Sequence, residues 1–547
     1  MRQSGAGIDP VTLEVMRHAI ASVAEEMNAN LVRTAYSPNI KERRDCSSAI
    51  FDAQGRMAAQ AESIPVHLGA MPFSVAAAIE AAAPLEDGDV VVVNDPYAGG
   101  AHLPDITFVA PVVVGGEVVA YVANRAHHAD VGGKEPGSLA GDAEEIYQEG
   151  LRIPPVRLWR RGELCGDLQR LLLANVRTPD ERWGDLRAQK AACATGIGRW
   201  RSLCERYGTT MLQRAMEEIL EYSERRMSHA IGALPDGVAQ FEDALDDDGI
   251  GREIVPIRVC VEVRGAKIRV DFTGTAPQVA GPINAVYAVT ASATYFAIRA
   301  FTDPEIPSNA GCYRPIELVA PQGSVVHALP PAAVVGGNLE TSQRIVDVIL
   351  GALGKLAPER AIAACQGSMN NVAIGGVDPD TGLAFTLYET IAGGVGASAE
   401  RDGADGVHSH MTNTLNTPVE ALETAYPLRV ERYALRPGTG GKGVRRGGMG
   451  IARDLLCLSP SARASLLTDR RKTQPYGIMG GEPGAAGQNL LVRDGDEIQL
   501  PGKGTIRLQY GDRLCLRTPG GGGYGPPTGQ AKDPCAGERR KGSSQQG

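Results

Sequence analysis

The stretch that most constrains this chain runs from Asn94 to Gly133, where two strand-like runs, Ile106–Val114 and Glu117–Asn124, are separated only by Gly115-Gly116. A two-residue connection admits an antiparallel hairpin, and a Gly-Gly pair suits the primed turns that match strand twist. Such a turn fixes the register: cross-strand partners have residue numbers that sum to 231, so Asp105 is expected opposite Ala126 and His127 opposite Pro104. A residue that opens one strand thereby meets a residue that closes the next. His102 lies two or three residues beyond, within side-chain reach of the same point. Two imidazoles and a carboxylate with positions left open are the donor set of a catalytic divalent-metal site. Such an ion lowers the pKa of bound water to about 7 and polarises a carbonyl, which suits hydrolysis. His128 is expected on the opposite strand face, with Asp130 on its side of the alternation. Both are candidates for orienting ligands or substrate, or for accepting a proton. A lone buried histidine is more often a satisfied core residue than a ligand. Here three of the nine histidines fall within 27 residues, among glycines and beside two aspartates.

Around this hairpin the pattern predicts an α+β, multidomain chain with mixed and antiparallel sheets. Asp9 and Pro10 suit a helix start, and Leu13, Met16, Ile20, Val23, Met27 and Leu31 recur at helical spacing until the pre-proline Ser37. Cys46–Asp52 and Arg56–Gln60 read as a hairpin through Ala53-Gln54-Gly55, and Val90–Val93 as a buried strand. Residues 180–232 read as helical, with Met211, Leu212, Met216, Ile219 and Leu220 on one face. From near 235 the alternation of Ile257, Val259, Val261 and Val263, then of Ile268, Val270 and Phe272, predicts a second hairpin. Helices are expected near 284–300 and 341–356, and short strands from about 430. The expected division is an N-terminal metal-binding domain over 1–235, a middle α+β domain over 236–428 and a β-rich domain over 429–527. The polar tail 528–547 is expected to be disordered.

A net charge of -9 argues against a nucleic-acid binder, which would carry a basic patch. No run of about 18 apolar residues predicts a membrane span. The ten cysteines contain no CxxC pair, and with no secretory signal in the first residues a reduced cytoplasmic setting is expected. No GxxxxGK[ST] loop occurs: Gly354-Lys355 is followed by Leu356, and Gly502-Lys503 by Gly504. The glycines of TPGGGGYG, with no helix pattern after them, read as tight backbone packing.

The runs ERRDCSSAIFD (42–52), NDPYAGGAHLPD (94–105), NRAHHADVGG (124–133) and EIYQEGLRIPP (145–155) resemble the hydantoinase B/5-oxoprolinase family. So do DFTGTAPQVAGPIN (271–284), GGNLETSQRIVD (336–347), NTLNTPVEALE (413–423), RRGGMGI (445–451) and TPGGGGYG (518–525), so the likeness covers nearly the whole chain. The family includes N-methylhydantoinase and caprolactamase subunits, and its wider group the acetone and acetophenone carboxylase subunits. The resemblance implies one divalent ion (Mn, Zn or Fe) held by His102, Asp105 and His127, with Asp45 as a further carboxylate that the hairpin register does not place. A solvated charge run is the plain alternative for Asp45, given Glu42, Arg43 and Arg44 beside it. The resemblance also implies a hydantoinase A-type partner subunit that uses ATP to phosphorylate the ring amide, in a hetero-oligomer where this chain performs the hydrolysis. The absence of an ATP loop agrees with that division. A subunit of an ATP-dependent ketone carboxylase is the runner-up, and a non-catalytic scaffold the third reading. Softer candidates are His408, His410, Asn338, Asn413, Asn416 and Glu420, in or near polar loops. Arg470 and Arg471 could neutralise a phosphorylated intermediate, or simply solvate a face.

Overall fold

The computed structural model describes residues 8–61 and 63–527. The first sheet has seven antiparallel strands: β1 (Cys46–Asp52), β2 (Met57–Gln60), β3 (Val90–Val93), β4 (Asp105–Val114), β5 (Glu117–His127), β6 (Val156–Arg160) and β7 (Glu163–Leu164), in the order β2-β1-β5-β4-β3-β6-β7. Both faces are covered, and side chains alternate between two cores. Ile50, Phe108, Val122 and Ala126 pack with the helices Pro10–Thr34 and Pro179–Tyr207. Ala49, Phe51, Val109, Tyr121 and Ala123 face the helix Met71–Ala82. The first helix begins as the sequence predicts: Asp9 accepts a hydrogen bond from Thr12 N at 3.0 Å, and Pro10 opens the first turn. In the helix Thr209–Gly232, Leu212, Met216, Ile219 and Leu220 are buried, whereas Met211 lies exposed and off the apolar face.

A second, mixed sheet carries β8 (Gly237–Leu245), β9 (Val255–Arg264), β10 (Lys267–Asp271) and β11 (Ile316–Val319), with β11 parallel to β10. Against it pack the helices Tyr287–Thr302 and Ser342–Leu356, the latter buried almost all round. The remaining strands are β12 (Asn371–Val377), β13 (Ala384–Glu389), β14 (Leu428–Leu435), β15 (Ile451–Cys457), β16 (Ser461–Leu467), β17 (Gln488–Arg493), β18 (Asp496–Leu500), β19 (Lys503–Gln509) and β20 (Arg513–Arg517). They form two antiparallel sheets, β13-β12-β16-β19 and β14-β15-β20-β17-β18. The first of these joins strands from either side of position 428, so a division there runs through a sheet. The tail 528–547 lies outside the described residues. No helix among the described residues is long and apolar enough to cross a membrane.

The central hairpin departs from its expected register in one respect. Gly115 (φ 63°) and Gly116 (φ 87°) make the turn, and Val114 pairs with Glu117 and Val113 with Val118, a sum of 231. Val112 then pairs with Ala120, leaving Val119 as an extra residue, and from there to the open end the sum is 232. Asp105 is therefore opposite His127 and not Ala126. Because strand side chains alternate, this one-residue bulge also sets which residues share a face.

Candidate metal centre

On the strand face toward Met71–Ala82, three adjacent strands end at one place. Asp105 opens β4, His127 closes β5 directly opposite, and Asp45 precedes β1, its carbonyl accepting His127 N–H at 3.0 Å. All three have the same parity as the Ala49, Val109 and Ala123 layer, so their side chains point to the same side. Asn39 fixes the end of β5 by donating to the His127 carbonyl at 2.6 Å. His102, in the loop before β4, completes the group. His102 Nε2, His127 Nδ1 and Asp105 Oδ1 form a triangle with all three edges at 3.2 Å. The three residues are buried and are the described group whose ligand atoms lie close enough together to share one ion.

Hydrogen bonding cannot satisfy this triangle. Each imidazole nitrogen carries at most one proton, and an ionised carboxylate carries none, so at most two of the three edges can be hydrogen bonds. One cation would satisfy all three at once. Ligand bonds of ~2.0–2.1 Å imply ligand–ligand edges of ~3.4 Å in a tetrahedron and somewhat less in an octahedron, so 3.2 Å edges fit a small divalent ion. Asp105 is anionic: burial opposes its charge, but His102 and His67 and the hydrogen bonds from His102 and His127 outweigh it and hold its carboxyl well below the ordinary range. Burial pushes His127 the other way, below its usual value, which keeps the ring neutral and its lone pair available.

The sequence did not single out His67 and Tyr388, and both are at the site. His67 sits in the four-residue helix Pro65–Leu68, with Nε2 3.4 Å from Asp105 Oδ2 and Nδ1 3.1 Å from Ser47 Oγ. Tyr388 stacks on His127 with centroids 4.4 Å apart and donates its hydroxyl hydrogen bond to Asn371 Oδ1. Beside these residues lies a cavity of about 20 Å³, lined by Asp45, Asp105, His127, Asn338, Tyr388 and Thr390 among others. That is room for about one water-sized species and not for a ring. Asp45 thus shares the cavity without belonging to the tight triangle.

His128 and Asp130 lie elsewhere. His128 points to the opposite face, its Nε2 2.9 Å from Gln189 Oε1, with burial and then the Arg182 charge pushing it down to about 4. Asp130 accepts from the backbone of Gly132, Gly137 and Arg177 and from the Arg177 guanidinium, which holds the loop 130–137 in shape. Of the softer candidates, Asn338 reaches the cavity with a buried, unpartnered Oδ1. His408 has both ring nitrogens buried without a partner, and His410 pairs with Asp347 at 3.0 Å. Asn416 bonds the Thr390 carbonyl, while Asn413 and Glu420 are exposed. Arg470 and Arg471 do not solvate a face: Arg470 is buried against Asp243 and Asp347, and Arg471 bonds Asn370 and Asn489.

The family model described as hydantoinase B/oxoprolinase matches residues 9–527. The chain belongs to the hydantoinase B/oxoprolinase family. Among its relatives in that family, the B-type subunit of a putative D-/L-hydantoinase from a Pseudomonas species is 34% identical over 95% of this chain and 90% of its own. The 5-oxoprolinase 1 of Arabidopsis thaliana is 37% identical over 94% of this chain, which spans 42% of that longer protein. Among solved structures, the ATP-dependent caprolactamase of Pseudomonas jessenii superposes with a TM-score of 0.87 at 31% identity, covering 95% of this chain and 91% of that one. The hydantoinase B/oxoprolinase fold therefore extends over the whole described chain, candidate centre included.

Proposed function

We propose that this chain is the metal-dependent hydrolytic subunit of an ATP-dependent cyclic-amide hydrolase, opening a ring amide that a hydantoinase A-type partner subunit has activated by phosphorylation. The observation that carries the reading is the 3.2 Å triangle of His102, Asp105 and His127, buried and beyond what hydrogen bonding can satisfy. With Asp45 on the same cavity, these residues would hold one divalent ion, Mn, Zn or Fe. A bound ion of this kind supplies Lewis-acid polarisation of a carbonyl and acidifies water.

The protein's own groups prepare the site for that chemistry. Asp105 supplies the fixed negative charge, and His67, braced by Ser47, lies 3.4 Å from its second oxygen. His127 is kept planar against Tyr388 and is clamped through its own carbonyl by Asn39. His128, through Gln189, ties the end of β5 to the helix Pro179–Tyr207, and Asp130 braces the following loop; both are proposed to position the ligand-bearing strand. The kinship with a hydantoinase, a 5-oxoprolinase and an ATP-dependent caprolactamase supports ring-amide substrates and an ATP-using partner. The test is reconstitution of the metal-loaded chain with its partner and assay against a panel of cyclic amides, with and without ATP and bicarbonate. Ring-opened product that needs ATP but not bicarbonate is expected. Full metal content and full rate in both His102→Ala and His127→Ala would refute the assignment.

A further inference from the structure

The cavity beside the metal triangle holds about 20 Å³, too little for any cyclic amide, so part of its wall must move before one can reach it. Several pieces of that wall are fixed in regular structure. Asp105 and His127 stand at the open end of β4 and β5, and Tyr388 lies on β13. Leu339 belongs to the π-helical turn Gly337–Thr341, which leads into the helix Ser342–Leu356. The segment 408–415 differs. It contains no helix or strand, and it is a single layer of chain between the cavity and solvent. Met411, Thr412 and Thr414 are buried against the cavity, while Asn413 and Leu415 alternate with them and are exposed.

In its closed position this segment is thinly anchored. Among the described residues, two of its backbone N–H groups find a protein acceptor: Thr412 on the Ser409 carbonyl at 3.4 Å and Leu415 on the Arg43 carbonyl at 3.1 Å. His408 has both ring nitrogens buried without a partner. Ser409 Oγ is unanswered as well, and so is Oε1 of Gln343, whose Nε2 donates to the Ser409 carbonyl at 3.1 Å. Buried polar groups without partners are costly, and lifting the segment would give these ones water. His410 has a φ of 57° less two, that is 55°, a left-handed conformation uncommon for a side-chain-bearing residue. A stretch held in this way belongs to the low-stability end of a fold, from which lids are drawn. Two side-chain contacts latch it. At one end His410 Nε2 lies 3.0 Å from Asp347 Oδ1; burial opposes a charge on the ring, but Cys365 and Asp347 outweigh it and push its pKa up to about 10. At the other end the Thr414 and Thr390 hydroxyls are 2.7 Å apart, with the Arg43 guanidinium donating to Thr390 at 2.8 Å.

We propose that 408–415 is a gate over the metal cavity, which opens by lifting off the His410–Asp347 and Thr414–Thr390 latches to admit the ion and a ring-sized substrate. The proposal rests on the proposed function for what passes, but the gate can be read without turnover. In the full manganese-loaded chain, amide hydrogens of 408–414 should exchange about a hundredfold faster than those of the helix Ser342–Leu356. His410→Asn takes the imidazole off Asp347 and keeps a residue that tolerates positive φ. It should speed both that exchange and the loss of manganese to excess EDTA about tenfold, with metal content at saturation unchanged. Thr390→Cys with Thr414→Cys puts two sulfurs where the hydroxyls are 2.7 Å apart, within reach of a disulfide. The oxidised pair should lose manganese about tenfold more slowly than the native chain, and the native rate should return on reduction with a phosphine. Unchanged manganese loss in both His410→Asn and the oxidised pair would overturn the gate, as would exchange at 408–414 as slow as in the helix. A chain that takes up no manganese, yet exchanges fast at 408–414 and is slowed reversibly there by the disulfide, would refute the metal reading and leave the gate standing.

Discussion

Glu149, in the run EIYQEGLRIPP, offers a quantitative test of how this chain is held together. Its carboxyl is fully buried, and Oε1 accepts the backbone N–H groups of Val334 and Val335, both at 2.8 Å, while Oε2 has no partner. It thereby joins the connection between β5 and β6 of the first sheet to the middle of the chain. Burial outweighs the two hydrogen bonds and pushes its pKa from 4.5 up to about 8. A carboxyl whose folded pKa is raised binds its proton more tightly when folded, so the stability it contributes is complete below pH 4.5 and falls as pH rises toward 8. With these two values the loss relative to acid is about 1 kcal/mol at pH 5, about 3 kcal/mol at pH 7 and approaches about 5 kcal/mol above pH 8. Glu149→Gln copies the neutral acid in shape and keeps an acceptor for both N–H groups. The variant is expected to match the native chain at pH 4.5 and exceed it by about 3 kcal/mol at pH 7, a rise of about 1 M in the urea midpoint for a slope near 3 kcal/mol/M. Other buried groups titrate over the same range, Glu340 among them, but they are common to both proteins and cancel in the difference. Urea unfolding of the pair at half-unit steps from pH 4.5 to 8.5 gives the comparison. Parallel curves would mean that the carboxyl is ionised and solvated in the folded chain, and the reasoning would fail.

Three further outcomes are expected. Chelation of the purified chain should lower its melting temperature, and added Mn or Zn should restore it in a concentration-dependent way, about 2.7 kcal/mol at a hundredfold excess over Kd; in His102→Ala the added metal should leave the melting temperature unmoved. Tyr388→Phe keeps the stack on His127 and loses the bond to Asn371, for a cost of about 1 kcal/mol with metal retained, whereas Tyr388→Ala opens a void and should cost about 3–5 kcal/mol by denaturant titration. Gly522→Ala would place a Cβ 2.0 Å from the Tyr476 carbonyl oxygen, so the backbones must separate; loss of soluble protein is expected, and wild-type yield and melting temperature would contradict the packing role of this glycine run.

What the sequence reveals of this site, and what it hides, follows from how each residue is held. Strand alternation and the Gly-Gly turn make the hairpin legible, and the crowding of histidines and aspartates at its open end marks the donors. Taken literally, however, a register summing to 231 would put Asp105 opposite Ala126 and His127 on the other face. The extra residue Val119 corrects this, and nothing distinguishes it within the run EVVAYVAN, where every valine fits a strand. Asp45 becomes legible only once β1 is known to pair with β5, a contact between segments some eighty residues apart in sequence. Before that pairing, the charges at 42–45 look like a solvated turn. His67 and Tyr388 carry no local signal at all: one sits on a single helical turn, the other on β13, whose partners in its sheet include a strand from beyond residue 460.

The bulge has a consequence that can be separated from the ligands themselves. If the register beyond it aims the two strand donors at one point, the hairpin tip can vary freely while the β4–β5 pairs between Val119 and the open end cannot. Replacing Gly115-Gly116 by Asn-Gly keeps a primed turn and the sum of 231 at the tip, and should leave metal content unchanged. Inserting one alanine between Ala123 and Asn124 lengthens β5 beyond the bulge by one residue, so Asp105 would stand opposite Ala126 and His127 would point to the other face, while the apolar pattern on β4 stays intact. The two variants change the same hairpin by similar amounts, and the triangle of 3.2 Å edges survives only in the first. Stoichiometric metal in a folded chain carrying the insertion would show that the site does not depend on this register.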